Sequence, residues 1–357
     1  MRSDGPSTKS QGARHLRPSD DGPWESGVHP IHAAHAQLRA QRAREVPSLR
    51  ASPRLSGDPP RGAALGGAGL KWRDALSRKR LFGISTHLHH HQRLGRDHLV
   101  EIGAQGFETV EVFATRTHFD YHNPAAIADL QQWLAEAGLT LHSVHAPVSE
   151  SFVNRRWGAP LSLASADNVA RLRALGEAEL TLQIARRIPF DVLVVHLGLP
   201  RTEQSSPADN SRDGARRSVD RLRELADPLG VRIAVEVIPN ELSQADSLVH
   251  FLENVLETEV GVCLDFGHAH LDGDLVDAVE TVSEHLITTH VHDNRGRVDE
   301  HLVPFEGTID WMGALIAIQK VGYDGPMTLE VASQGSTRRA LEASRRARER
   351  IEAILDH

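Results

Sequence analysis

The fold is decided by residues Val231–Asn294, which read VRIAVEVIPNELSQADSLVHFLENVLETEVGVCLDFGHAHLDGDLVDAVETVSEHLITTHVHDN. Three short apolar runs lie in this stretch, at Val231–Val237, Val260–Asp265 and Leu286–His292. Amphipathic segments, Gln244–Leu256 and Leu275–Glu284, separate them. The runs have strand length and the spacers have helix length, which predicts strand–helix–strand units around a parallel sheet. Each run also ends on a side chain that can ligate a cation or move a proton: Glu236, Asp265, His290 and His292.

The same alternation extends in both directions. Apolar runs at Leu81–Ser85, Phe107–Phe113, Leu139–His145 and Asp191–His196 come before it, and Pro326–Val331 comes after. Helical patterns fall at Ala125–Ala137, Ala166–Arg187, Arg212–Leu229, Trp311–Gln319 and Arg338–Leu355. Eight such units in about 275 residues predict an α/β fold, a closed (β/α)8 TIM barrel, which typically takes ~250 residues. An open doubly wound sheet is the rival, but no G-x-G-x-x-G turn follows the first run.

Residues 1–80 are expected to be a disordered basic leader, apart from a short helix near Ile31–Arg44, and 81–357 the catalytic domain. The leader mixes Pro, Gly, Ser and Arg without a sustained period, and it reads as dispensable. It holds 15 Lys/Arg against 7 Asp/Glu, a net of +8, whereas the remainder holds 25 against 41, a net of −16. An acidic body repels polyphosphate, so nucleic acid is not an expected partner. No apolar run approaches the ~20 residues that span a bilayer, and no apolar segment of signal-peptide type follows the basic N-terminus. A lone cysteine, Cys263, precludes an internal disulfide and fits a cytoplasmic protein. Cys263 is expected to pack inside the barrel as an inert thiol.

Ligand-type residues recur at the ends of six successive runs. They are His145 in Val144-His-Ala-Pro147, His196, Glu236, Asp265 with His268, His290 with His292, and Glu330. In a barrel these ends converge on one face, where active sites form. A single strand-end His is more often a hydrogen-bonded structural group, but six coincident placements point to a shared metal site. His290 and His292 are two apart and project to one side of a strand, so alternation alone leaves open which is the ligand. Asp299-Glu-His301 follows in a polar loop that either reaches the metal or is solvated. Oxygen and imidazole donors without thiolate suit a divalent metal, Mn²⁺, Co²⁺, Zn²⁺ or Mg²⁺. His87, His89, His90 and His91 read equally as a substrate contact or a solvated loop after the first strand. Glu111 is either an orienting group or a buried hydrogen-bonded carboxylate. Trp157 and Trp311 are candidates to wall a sugar pocket, and Trp133 to pack within its helix.

From Leu81 onward the chain resembles the xylose-isomerase-like superfamily of sugar and sugar phosphate isomerases and epimerases, which is related to type IV apurinic-site endonucleases. The resemblance is carried by Val144-His-Ala-Pro147, Gly261-Val-Cys-Leu-Asp-Phe-Gly-His268, His290-Val-His-Asp-Asn294, Asp299-Glu-His301 and Glu306-Gly-Thr-Ile-Asp-Trp311. Phe305 departs from the Gly common in isomerase-type relatives, which leaves the geometry of that loop open. Resemblance to the ketose 3-epimerase branch implies one metal held by Glu236, Asp265, His290 and Glu330. The two glutamates would act as catalytic acid and base, and His268 would contact substrate. His145, His196 and His292 are further substrate-binding candidates. Resemblance to the endonuclease branch implies up to three zinc ions, held by those four residues with His145, His196, His268, Asp299 and His301.

The expected reaction is metal-dependent isomerisation or epimerisation of a small-molecule sugar, with a proton abstracted beside a carbonyl through a metal-stabilised enediolate. A multi-zinc phosphodiesterase and a non-catalytic metal-binding barrel are the alternatives. The resemblance leaves a homodimer open as the assembly.

Overall fold

The computed structural model describes residues 80–201, 205–256 and 260–356. The expected leader and its helix near Ile31–Arg44 lie outside the described residues. Eight strands form the sheet: β1 Phe82–Ser85, β2 Thr109–Phe113, β3 Thr140–His145, β4 Val192–Val195, β5 Arg232–Glu236, β6 Gly261–Asp265, β7 Leu286–Val291 and β8 Met327–Leu329. Each pairs in parallel with its neighbours in the chain, and β1 pairs with β8, so the barrel is closed as expected.

Helices α1 Arg96–Ala104, α2 Pro124–Ala137, α3 Asn168–Leu182, α4 Arg212–Ala226, α5 Ala245–Asn254, α6 Phe266–Asp272, α7 Leu275–Val282, α8 Trp311–Lys320 and α9 Thr337–Leu355 accompany it. Local chemistry sets their starts. Asn123 caps α2 through Ala125 N with Pro124 in the first turn, Asp167 caps α3, Ser211 caps α4 and Ser336 caps α9. The expected spans of α3 and α4 each finish in a short 3₁₀ turn, Gln183–Arg186 and Asp227–Leu229.

Strand alternation builds both the core and the site. Val192 and Val194 of β4, Ala234 of β5 and Cys263 of β6 plug the barrel interior, with Ile287 packed against them. Their neighbours Leu193, Val195, Ile233, Val235, Val262 and Leu264 point outward into the core shared with the helices. With a side-chain period of two, the next inward positions after Ala234 and Cys263 are Glu236 and Asp265. The pattern that seals the barrel therefore raises carboxylates one layer above the seal. Cys263 is fully buried and packs inside the barrel, and burial pushes its thiol up; its Sγ also lies within 4.8 Å of donor atoms of Glu236 and His290.

Candidate metal centre and substrate cavity

At the carboxyl ends of the strands, one donor atom each from Glu236, Asp265, His290 and Glu330 lies within 4.8 Å of the others. The positions proposed from resemblance are thus brought together. Among the described residues, four more groups adjoin or overlap them by the same measure: His145, His196 and Glu236; His145, His290 and Glu330; Glu236, Cys263 and His290; and His268, His292, Asp299 and His301. All nine residues expected from the endonuclease comparison are in this patch, and His292 joins them.

Several imidazoles have one nitrogen tied to a protein acceptor and the other turned into the cluster. His145 Nδ1 donates to Ala146 O at 2.7 Å, while its Nε2 lies 3.0 Å from Glu236 Oε2. His301 Nδ1 donates to Glu330 O at 2.8 Å, while its Nε2 lies 3.0 Å from Asp299 Oδ2. His290 Nε2 donates to Glu111 Oε2 at 3.0 Å. Its Nδ1 then faces Glu330 Oε2 at 3.3 Å, Glu236 Oε2 at 3.4 Å and Asp265 Oδ2 at 3.9 Å. Metal-binding histidines are typically held in this way, with an acceptor fixing the far nitrogen. Glu111 is therefore an orienting carboxylate, itself steadied by Ser143 Oγ at 2.8 Å.

His268 bridges the groups, with Nδ1 at 3.1 Å from Glu236 Oε1 and Nε2 at 3.2 Å from Asp299 Oδ2. His292 Nε2 sits 2.9 Å from Asp265 Oδ1. Both His290 and His292 thus face the same cluster. Among the buried atoms that make no aligned hydrogen bond are His196 Nε2, Glu236 Oε1, His268 Nδ1 and His290 Nδ1. Lone-pair atoms gathered at ion-pair distance without hydrogen-bond alignment suit a cation between them.

The charges are consistent with that reading. Burial alone would raise the Glu236, Asp265 and Asp299 carboxyls, but the surrounding histidines hold all three below their ordinary range. Burial alone would lower His268, His290 and His301, but the facing carboxylates raise all three, His301 to about 10. Buried carboxylates need compensating positive charge. Within this cluster, imidazolium protons supply it.

The approach of these groups depends on two glycines. A Cβ on Gly267 would meet His292 Cε1 at 2.0 Å, and one on Gly307 would meet Asp293 Oδ1 at 2.2 Å. Asp293 was not singled out from the sequence. It is fully buried and organises the loop after β7, accepting from Phe305 N at 3.0 Å, Ile309 N at 3.2 Å and Trp311 Nε1 at 2.8 Å. Trp311 therefore closes that loop and does not line the cavity over the donors, which corrects its expected place in a sugar pocket. His89 is fully buried, so the solvated reading holds only for His91 of that run. Trp133 packs against the core, as expected.

A cavity of about 550 Å³ lies over the donors, with His145, His196, Glu236, His268, His301 and Glu330 in its wall. A larger one, about 770 Å³, lies at the opposite ends of β5–β7 beside Arg232, Gly261 and Ile287. None of the donor groups lies there, so the smaller cavity is the functional candidate.

Residues 97–355 match the model of the xylose isomerase-like TIM barrel. The chain belongs to that family. Its relatives include sugar epimerases. L-ribulose-5-phosphate 3-epimerase UlaE of Salmonella paratyphi A is 26% identical over 262 residues, 70% of this chain and 86% of the relative. A D-tagatose 3-epimerase-like protein has the same fold, with a TM-score of 0.65 and 24% identity over 77% of this chain and 98% of its own. So does an IOLI protein with a binding zinc atom, with a TM-score of 0.61 and 15% identity over 77% and 98% of the two chains. Among the described residues, no helix is long and apolar enough to cross a membrane.

Proposed function

We propose that this chain is a divalent-metal-dependent sugar isomerase or epimerase. The observation that carries the reading is the meeting of Glu236, Asp265, His290 and Glu330 at the mouth of the barrel. The donor set is oxygen and imidazole, which suits Mn²⁺, Co²⁺, Zn²⁺ or Mg²⁺. When bound, such an ion would offset the negative charge that develops on a carbonyl oxygen as the adjacent proton leaves.

The protein's own groups would do the rest. Glu236 Oε2 and Glu330 Oε2 flank His290 Nδ1 at 3.4 and 3.3 Å, on side chains from β5 and the end of β8. A sugar carbon seated between these carboxylates could lose its proton to one and regain it from the other. Return to the opposite face gives epimerisation, and return to the neighbouring carbon gives isomerisation. Glu236 is held ionised by its histidine neighbours against the effect of burial, as a base must be. His145, His196 and His268 surround Glu236 and are placed to contact the hydroxyls of a bound sugar.

A test is to incubate metal-loaded protein with a panel of ketoses in D₂O and follow deuterium at the carbon beside the carbonyl. Incorporation that is lost with chelator and returns with Mn²⁺ is the expected result. No exchange into any ketose would reject the proton-transfer reading.

The group His268, His292, Asp299 and His301 favours one second reading, a multi-zinc phosphodiesterase acting at abasic DNA. Against it stand the net charge of −16 beyond residue 80 and the absence of Lys or Arg from the described lining of the cavity. The loop arginines Arg116, Arg155 and Arg156 are not in that lining. Nicking of an abasic duplex by zinc-loaded protein would support this second reading over the first.

A further inference from the structure

Large apolar side chains that reach solvent are unevenly spread over the described residues. Val153 and Trp157 sit on a hairpin, Phe152–Val153 paired with Arg156–Trp157, and Trp157 lines the cavity at the barrel mouth. Met312 and Ile316 share one turn of α8. The largest concentration is on α3, where Val169, Leu172 and Leu180 are 77%, 53% and 37% exposed. They lie on one face. Positions 169, 172, 173, 176, 179, 180 and 183 follow the spacing of a helical stripe, and only Arg173 and Glu179 among them are charged. The neighbouring helix is unlike it, since the exposed positions of α4 are Arg212, Asp213, Arg217, Arg221 and Glu224. A contiguous apolar stripe facing water marks a surface that meets protein.

Gly176 lies at the centre of this stripe, both along the helix and across it. Nothing within the chain calls for a glycine there. Its φ is not positive, and a Cβ built on it would meet open space. Glycine in a helix interior weakens the helix relative to alanine, and what it offers in return is room for a second backbone. The residues on either side are matched about it. Leu172 and Leu180 stand four positions away along the i±4 ridge, whereas Arg173 and Glu179 stand three positions away at opposite edges.

We infer that the exposed face of α3 is the seam of a two-fold homodimer, with Gly176 at the crossing point. The two-fold axis runs along the ridge of Leu172, Gly176 and Leu180, so each of these meets its own copy. Packing one i±4 ridge on another gives the crossing of about −50° that is commonest between helices of globular proteins. The same axis exchanges the edges of the stripe, so Arg173 of each copy faces Glu179 of the other. Within one chain Arg173 holds Glu150 at 3.0 Å and Arg221 holds Glu179 at 3.2 Å. Across the seam these pairs join into two rows of alternating charge. A two-fold contact requires such a self-complementary face, on which residue i meets j and j meets i. The inference is independent of the reaction proposed above.

The experiment is analytical ultracentrifugation of the full-length chain. A seam of one helix per copy is small, so a monomer–dimer equilibrium is expected between about 1 and about 300 µM. A monomer throughout that range would overturn the inference. Gly176→Leu fills open space in the single chain and favours its helix, yet it should weaken the dimer at least about tenfold. Its circular dichroism should match wild type. Leu172→Asp should weaken the dimer at least about 100-fold, because the two-fold counts each lost contact twice. Arg173→Glu and Glu179→Arg should each weaken it about tenfold at low salt, and less at about 200 mM. The protein carrying both exchanges should return to within about threefold of wild type. A combined variant no better than either single one would overturn the pairing across the seam. Ile316→Asp on α8 is the control and should leave the dissociation constant within about twofold. Dissociation by that change, with the α3 variants still dimeric, would place the seam on α8 and overturn the inference.

Discussion

His290, on the β7 side of the barrel mouth, and His89, after β1, are both fully buried, yet they sit in opposite electrostatic surroundings. His290 faces Cys263, Glu111, Glu330 and Glu236, and those acidic groups raise it well above its ordinary value although burial works against them. Among the described residues, His89 has no hydrogen-bond partner on either ring nitrogen, and it stacks on His98 with centroids 4.3 Å apart. Burial, reinforced by His98 and His118, drives it down to about 3. One region stores separated charge that a cation can reorganise, and the other stores neutral rings. The difference teaches that burial alone does not mark the functional histidines here. What marks them is burial facing carboxylates, with the second nitrogen fixed by the protein.

The sharpest way to break this comparison is to neutralise the charged side. Glu236→Gln and Glu330→Gln should each lower deuterium exchange into substrate by about 10²–10⁴-fold, the usual range for a positioned acid or base. The far-ultraviolet circular dichroism of both should match wild type, and metal content per chain should be measured alongside to separate proton transfer from ion loss. Wild-type exchange rates in both variants would refute the assigned roles.

A smaller effect is expected one step back from the donors. Glu111 accepts from His290 Nε2 and from Ser143 Oγ. Burial would raise its carboxyl, but His290 holds it down to about 2. Glu111→Ala frees the His290 ring and should weaken Mn²⁺ binding about 10–100-fold, while Glu111→Gln, which keeps an acceptor, should recover part of that loss. Metal titration of the two variants separates positioning from packing, since a packing defect alone would leave the affinities alike.

Much of this arrangement was legible in the sequence, and the parts that were not have identifiable reasons. The strand ends could be read because alternation ties an inward apolar residue to the next inward position, so that Ala234 implies Glu236 and Cys263 implies Asp265. The partnership of Glu111 with His290 spans 179 residues and is set by barrel closure, which no local spacing encodes. Helix α1 escaped the pattern because only Leu99 and Ile102 of its nine residues are buried. The hairpin before Trp157 turns on Asn154 and Arg155 with positive φ and carries no glycine, so the usual hairpin signal is absent. Trp311 looked like a pocket wall because tryptophans often line sugar sites. Its indole is instead taken by Asp293, a buried carboxylate whose need for donors does not appear in the local sequence.

The neutral region can be tested through pH. A histidine depressed in the folded state binds its proton more readily when unfolded. Its contribution to stability is therefore complete above about pH 6.5 and is lost as the pH falls toward its folded value. His89, lowered to about 3, and His118, lowered to about 4, both by burial first, act in this direction. From pH 6.5 to pH 5, His89 alone should remove about 2 kcal/mol, at 1.36 kcal/mol per unit. His89→Phe keeps a ring to stack on His98 and cannot titrate. Urea unfolding should show the variant losing about 2 kcal/mol less than wild type over that interval. Parallel losses would mean that His89 is not a neutral buried ring.

The smallest effect concerns the loop that seats Asp299 and His301 on the charged side. Phe305, which departs from the glycine common in isomerase-type relatives, stands in it at φ 76°. A phenylalanine in the left-handed region costs about 1–2 kcal/mol, which glycine avoids. Phe305 gains something in return, since its ring lies 5.1 Å from Trp311 and has the Arg350 guanidinium 3.9 Å above it. Lost packing and lost cation–π attraction of about 1–2 kcal/mol should offset the relief of backbone strain. Phe305→Gly is therefore expected to shift the melting temperature by only a few degrees, in about the range of a 1 kcal/mol change. Metal binding should be unchanged, because Asp293 accepts from the backbone N of residue 305 and that hydrogen bond survives the substitution. A large fall in metal affinity would show that the ring itself positions the donor loop, and that the charged side of the mouth depends on side-chain packing as well as on the buried carboxylate beneath it.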